Sequence, residues 1–438
     1  MTASTRHIKT ARMKMASGVS TAIDTISAAY QASEQCINGL GEAGSESPDV
    51  AIVFFSPHHL TSVAQLSTAI RRRLGPKHLI GVSCEAVIGG AQEYERAAGV
   101  SILAARLPGV SVKTFATEEF PASDDSPESL FMLRDVVGAA EDLRCTILLG
   151  DPFSLRVPRV LNDLNRAVAS PSGGGVVFGG LASASMVAGG NALLLDDRLV
   201  KSGGVGVSLK GDLRVDTLVS QGCKPFGNAM TVTRSQANII YELDGKPAVE
   251  TIQRTLDDQG KARHKLLSGG MFIGIASEEG KKRLGRDDFV IRKIAGVRPE
   301  EGAILSSQTV NSGQVVRLHT RDASTAHDDL AMLLDGQKLY SKPLGALLAS
   351  CNGRGNRLFG ERNHDANAIT RAFSQPAGGE ELSKLGTAYY SGNMAPPIPL
   401  CGFFTAGEIS PMGGGHSSAG KSMLHSQTAC VAIFRERE

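Results

Sequence analysis

The chain has no tryptophan and only 5% aromatic residues. That removes the stacking platforms on which proteins lay single-stranded bases, and with them the aromatic clefts that hold carbohydrate. Neither charge is in surplus, since 46 Lys and Arg face 44 Asp and Glu, and both halves of the chain are balanced. The basic footprint of a nucleic-acid binder is therefore missing. There is no C-x-x-C. The seven cysteines (Cys36, Cys84, Cys145, Cys223, Cys351, Cys401 and Cys430) are odd in number and widely spaced. They read as reduced thiols of a cytoplasmic protein, not as a disulfide framework or a zinc site. No apolar run approaches the ~18–20 residues that span a bilayer. His58 and His59 are adjacent, with no third ligand at metal spacing. The expectation is a protein without metal, cofactor, nucleic-acid partner or membrane insertion.

What is abundant is glycine. Fifty glycines in 438 residues exceed the ordinary ~7%, and they cluster at Gly173–Gly175, Gly203–Gly204 and Gly413–Gly415, where tight turns or close backbone approaches are the use. Residues 1–23 carry Arg6, Lys9, Arg12 and Lys14 and no acid, without the apolar region of a signal peptide. They read as a basic, disordered tail.

An internal repeat organises the rest. Val50–Phe55 has the apolar continuity of a buried strand. Val63, Leu66, Ile70 and Leu74 follow at helical spacing, and Leu79–Cys84 is a second strand that runs into Glu85 and Gly89-Gly90. Residues 99–106 and 110–115 form two further strands. The order recurs as strand 146–149, helix 157–168, strand 176–180 and paired strands 204–209 and 213–219. A third, stretched version runs through strand 346–350, helix 363–373, strand 400–404 and strand 428–434. The fold class is α/β, with duplicated strand–helix–strand units, mixed sheets and an antiparallel insert in the C-terminal part. Asp244-Gly245 marks a turn. Segments 271–276 with 289–294 and 303–310 with 314–319 read as hairpins of that insert. The expected division is 24–235 (itself about 24–120 and 121–235) and 236–438.

Chemistry concentrates at strand ends, outside which ligands bind in open α/β sheets. Ser350-Cys351-Asn352-Gly353-Arg354-Gly355 follows a strand directly; a cysteine there beside an arginine is a candidate thiolate. Used as a nucleophile, Cys351 would need a base, and His364 is one short connection away. Gly81–Glu85 and Gly402–Glu408 each place a carboxylate just beyond a buried strand. Such a Glu accepts a ligand's ammonium group, while glycine amides or Arg354 take a carboxylate. Gly415–Ser422 fits the P-loop pattern G-x-x-x-x-G-K-[ST], yet a β-like segment follows where the motif needs a helix. It reads as loop composition.

These residues together resemble the FIST proteins, which combine an N-terminal and a C-terminal FIST domain. Val53-Phe-Phe-Ser-Pro-His-His59, Leu79-Ile-Gly-Val-Ser-Cys-Glu85 and Val87-Ile-Gly-Gly90 carry the N-terminal likeness. Tyr241-Glu-Leu-Asp-Gly-Lys-Pro247, Ser350–Gly355 and Cys401-Gly-Phe-Phe-Thr-Ala-Gly-Glu-Ile409 carry the C-terminal one. The resemblance implies an intracellular sensory protein for a small ligand, an amino acid or a related polar metabolite. With no length for an attached kinase, cyclase or F-box, it also implies a signal passed to a separate protein. One departure is the glycine- and serine-rich stretch Met412–Ser422, where the family more often proceeds directly to its Leu-His (here Leu424-His425).

The ligand contacts expected are Cys351, Arg354 and Glu408, then Glu85 and His58, with Gly353, Gly355 and Gly407 supplying turn geometry and amides. The rival readings are a cysteine-dependent enzyme that uses Cys351 and a protein-binding scaffold.

Overall fold

A computed structural model of the chain describes residues 12–41, 46–122, 124, 126–169, 175–277, 284, 285, 288–374, 397–412 and 420–437. Three stretches of it fold through one order of elements: strand, helix, strand, helix, strand, hairpin, strand. The first is β1 (Lys14–Ser20), α1 (Thr25–Leu40), β2 (Val50–Phe55), α2 (Val63–Leu74), β3 (His78–Ser83), the hairpin β4 (Val87–Gly89) with β5 (Gln92–Tyr94), and β6 (Val100–Arg106). The second is β7 (Val110–Ala116), α3 (Pro127–Val137), β8 (Leu143–Gly150), α4 (Val157–Val168), β9 (Val176–Leu181), the hairpin β10 (Leu193–Leu195) with β11 (Arg198–Val200), and β12 (Gly204–Gly211). The third opens with β13 (Leu213–Gln221) and is then interrupted.

The interruption contains β14 (Cys223–Gln236), β15 (Ile239–Leu243), β16 (Lys246–Pro247), α5 (Ala248–Asp257), α6 (Arg263–Ser268), β17 (Met271–Ala276), β18 (Phe289–Arg298), β19 (Ala303–Ser306) and β20 (Val315–Arg321). The third unit resumes with α7 (Ala323–Gln337), β21 (Gly345–Cys351), the short α8 (Asn356–Phe359), α9 (His364–Ala372), β22 (Leu400–Thr405), the hairpin β23 (Glu408–Pro411) with β24 (Ser422–His425), and β25 (Thr428–Glu436).

Each unit builds a six-stranded mixed sheet around one parallel pair (β2/β3, β8/β9, β21/β22), the pairing a crossover helix permits. The sheets run β1-β6-β2-β3-β10-β11, β7-β12-β8-β9-β23-β24 and β13-β25-β21-β22-β4-β5. In each case the hairpin comes from another unit: the second unit completes the first sheet, the third completes the second, and the first completes the third. The inner faces meet in a single core drawn from all three sheets, including Phe54, Ile147, Phe178, Ala349 and Phe403; the Phe54 and Phe403 rings stack at 4.4 Å. Helices cover the outer faces. Val63, Leu66, Ile70 and Leu74 of α2 pack on the first sheet, and Val160, Leu161, Leu164 and Val168 of α4 on the second, as the helical spacing predicts.

The insert is antiparallel. Its pairings run β14-β20-β17-β18-β19-β15 and return to β14, so it closes on itself and leaves no free edge among those six strands. Register shifts in β14 and β18 let each bend and serve two neighbours.

Three expectations change. Lys14–Ser20 is not a disordered tail, because it pairs with β6 over its whole length; charge content does not register a strand satisfied by a partner 86 residues away. Residues 1–11 of that tail lie outside the described residues. The units divide at 107–109 and at 212, not at 120 and 235: β6 and β7, joined by Leu107-Pro108-Gly109, look like a hairpin but belong to different sheets, and β13 and β14 lie with the C-terminal sheet and the barrel. Segments 271–276 and 289–294 do pair. Segments 303–310 and 314–319 do not, since β19 joins β15 and β18 while β20 joins β14 and β17. Residues 415–419 of the P-loop-like match lie outside the described residues, and Ser422 opens a strand, not a helix, in keeping with the β-like segment expected there.

Candidate functional site

At the ends of β21 and β22 the third unit, a donated hairpin and the barrel converge on a buried polar cluster. Cys351 closes β21 and is buried. Burial pushes its thiol up to about 12, against the smaller opposing pull of the Gly353 and Gln427 amides and Arg321. Gly353 N–H donates to its sulfur at 3.5 Å. This is the opposite of an activated thiolate. Both ring nitrogens of His364 are engaged by other groups, Nδ1 donating to Asp365 at 3.0 Å and Nε2 lying 2.9 Å from His327 Nδ1.

Arg354 is 0% exposed, an unusual place for a guanidinium. Asp365, also 0% exposed, accepts from its Nε and Nη2 at 2.7 and 2.9 Å. Burial opposes ionisation of Asp365, but the guanidinium outweighs it and holds the carboxyl well below the usual range. Phe359 lies under Arg354 and stacks on His364 at 3.4 Å. The third nitrogen, Nη1, has no partner among the described residues. Gly222 makes that gap: a Cβ there would stand 3.3 Å from Nη1 and 2.7 Å from the Gln427 carbonyl.

Glu408 is the second orphan. It opens β23 and is fully buried; Oε2 accepts from the Thr428 hydroxyl at 2.7 Å and its amide at 3.2 Å, while Oε1 has no hydrogen-bond partner among the described residues, with the Cys351 thiol beside the carboxyl and favouring its charged form. Burial raises the carboxyl to about 8, with Thr428 and Arg354 pulling the other way, so it holds its proton at neutral pH. Because the hairpin is donated, Glu408 pairs with β9 in the second sheet yet bonds to β25 of the third.

The barrel supplies two more cations. Arg321 donates to the Gly353 carbonyl. Arg292 donates to the Leu424 carbonyl at 2.8 Å and to Gln308; burial lowers it to about 10, although Glu408 favours its charge. From the other side the first unit's hairpin caps the third unit's helices. Glu93 accepts from Ala366 N at 3.0 Å and Glu95 from Asn356 N at 2.9 Å. Burial and the neighbouring Asp365 raise Glu93 to about 7.

The sequence-derived residues are thus only partly united. Cys351, Gly353, Arg354, Gly355 and Glu408 lie around one cluster. Gly355 has φ +56°, and a Cβ there would meet Glu95 Oε1 at 2.7 Å, so the loop needs glycine. Gly407 bonds through its N–H to Thr405 and through its C=O to Leu181 and Thr405. Glu85 sits on the rim, paired with Arg357 at 2.5 Å while partly exposed, and Arg357 also reaches the Asn352 carbonyl at 2.8 Å. His58 stands apart at the end of β2, against Ser56 Oγ at 3.3 Å. Asp365, Glu93, Arg292, Arg321, Gln427 and Thr428 were not singled out. Gln427, a non-glycine at φ +64°, has only the turn position between two strands to mark it. Among the described residues no group of three or more His, Cys, Asp or Glu is placed to hold a metal ion, and no helix is long and apolar enough to cross a membrane.

A FIST N domain model matches residues 49–246 and a FIST C domain model residues 248–411. The chain belongs to the FIST family. FIST domains are generally sensory and signal-transduction domains. Similar FIST chains include an uncharacterized protein of Mycobacterium bovis, 31% identical over 96% of this chain and 99% of its own. An uncharacterized protein of Mycobacterium tuberculosis is 32% identical over 96% of this chain and all of its own length. Cys351, Arg354 and Glu408 fall within the FIST C match, Glu85 and His58 within FIST N. Gln427 and Thr428, which close the cluster, lie beyond both.

Proposed function

We propose that this FIST chain is a cytoplasmic sensor that binds a small polar metabolite, an amino acid or a relative carrying both charges, and signals to a separate protein. The observation that carries the reading is the pair of fully buried atoms without hydrogen-bond partners among the described residues, Arg354 Nη1 and Glu408 Oε1. Each such atom costs roughly 1–3 kcal/mol unless something bonds to it. A carboxylate suits the first; an ammonium group suits the second and ionises it. Cys351, Gly353 and Gly355 shape the loop between them. The barrel is the output element, because Arg292 and Arg321 hold it against this cluster, and a ligand that alters the charge there favours one barrel position over another.

The test is a thermal-shift screen of amino acids and small acids on wild type and Glu408→Gln. A ligand at ~100 times its dissociation constant adds ~2.7 kcal/mol, and Glu408→Gln is expected to weaken it. Silence across the panel at millimolar concentration overturns the reading in favour of a protein-binding scaffold. Consumption of a compound, lost in Cys351→Ser, would instead favour the enzyme; a buried thiol raised to about 12 argues against that.

A further inference from the structure

A second site lies on the outer face of the third sheet, apart from the buried cluster. Helices α7 and α9 leave between them a cavity of about 390 Å³, within the ~300–1,000 Å³ of small-molecule sites. Its floor is apolar, with Leu334 and Ala368. Its wall is not. Lys338, Arg362 and Arg371 face Asp335 and Glu361, and Lys338 is already bound to Asp335 at 2.7 Å. Arg362 and Arg371 form no ion pair among the described residues, so the wall has two uncommitted guanidiniums against one uncommitted carboxylate.

Two histidines complete the wall. His327 Nδ1 and His364 Nε2 lie 2.9 Å apart. The ionised Asp365 requires a proton on His364 Nδ1, so with neutral rings His364 Nε2 accepts from His327 Nδ1–H. Stacking on Phe359 fixes the His364 plane. The line His327–His364–Asp365–Arg354 therefore runs from the cavity wall to the guanidinium whose Nη1 is orphaned.

We infer that this cavity binds a small organic oxyanion, a dicarboxylate or a phosphate monoester, through Arg362 and Arg371. A planar carboxylate, and any two oxygens of a tetrahedral phosphate, can each accept the paired N–H groups of a guanidinium fork. The inference stands on the cavity and its charges, independently of what occupies the buried cluster.

The experiment is calorimetric titration of the full chain with succinate, glycerol 3-phosphate and, as a neutral control, glycerol, with histidine ring signals followed by NMR. Saturable binding of one anion is expected, with shifts of the His327 and His364 rings and no binding of glycerol. Which of the two anions binds separates the carboxylate from the phosphate source. Arg371→Ala and Arg362→Ala, both at exposed positions, should each weaken it about tenfold, the loss expected for one charge-assisted contact. Arg72→Ala, exposed on α2, should not. Absence of saturable binding by either anion overturns the inference, as does equal weakening in Arg72→Ala.

Discussion

Arg354 and Asp365 form an ion pair with 0% exposure on either side. Removing one member of such a pair costs about 3–5 kcal/mol, because the other is left buried and uncompensated. Asp365→Ala is therefore expected to lower stability by that amount in urea denaturation, and the double variant Arg354→Met with Asp365→Leu to regain much of it. A loss below about 1 kcal/mol in Asp365→Ala would show that the pair is not buried as described. Proton linkage gives a second residue-scale test. Glu93 and Glu408 are raised to about 7 and about 8, so between the ordinary carboxylate value and those values the folded state keeps protons that the unfolded chain has lost. Stability must fall as pH rises through that range. His425 is depressed to about 4 by burial, and its own loss comes as pH falls below ~6.5. His59, also lowered by burial, acts in the same sense as His425, and both contributions fade above ~6.5, so the carboxyls dominate the window from ~6.5 to about 8. Melting temperature should fall across it, more shallowly in Glu408→Gln; a flat wild-type profile there contradicts the assignment. Cys351, Arg354 and Glu408 were legible because strand ends are where side chains of this kind gather. Arg354's burial was not: a glycine-flanked arginine reads as exposed, and only its packing against Asp365 and Gly222 reveals otherwise.

Among the elements, the barrel is the most separable. It leaves the third unit at Gly222 and returns at Asp322, and Asp322 N–H donates to the Gly222 carbonyl at 3.3 Å. Deleting 223–321 and joining those two residues through a short glycine linker should leave a chain that still melts cooperatively, at a lower temperature because Arg292 and Arg321 no longer cover the cluster. Circular dichroism melts decide it; an unfolded product would mean that the barrel is part of the core. Most strands and helices were readable as apolar runs of the right period. Their partners were not. β6 and β7 are adjacent in sequence around a Pro-Gly turn, yet local pattern cannot tell a hairpin from a crossing between sheets, because both need the same turn chemistry. For the same reason β19 and β20 looked paired and are not.

For the whole molecule, the linkers at 107–109 and at 212 each carry the chain from the last strand of one unit to the edge strand of the next sheet. The same step from β25 to β1 is the one the chain leaves open. The two ends are near each other: Gly345 pairs with Phe434, and a Cβ on Gly345 would stand 3.2 Å from Met15 Sδ. A circular permutant opened at Pro108, with residues 12 and 437 joined by a flexible linker, should therefore fold to the same structure, with a melting temperature within a few degrees of the parent. Failure to fold would show that the third linker is not equivalent to the other two. The threefold order was visible in the sequence as a repeat; the exchange of hairpins was not, since it links residues such as Val87 and Phe403 that no local pattern connects.

That exchange also sets the timing of synthesis. The first sheet has all its strands once residue 200 has been made, but the second waits for β24 and the third for β25, at the very end of the chain. Meanwhile β4 and β5, among the earliest strands to leave the ribosome, have no partner from the third unit until β22 follows some 300 residues later. Folding unit by unit during translation is open only to the first sheet and to the self-closed barrel, while the second and third sheets must wait for their last strands. Its slow step is expected to be the long-range strand pairing that completes the second and third sheets.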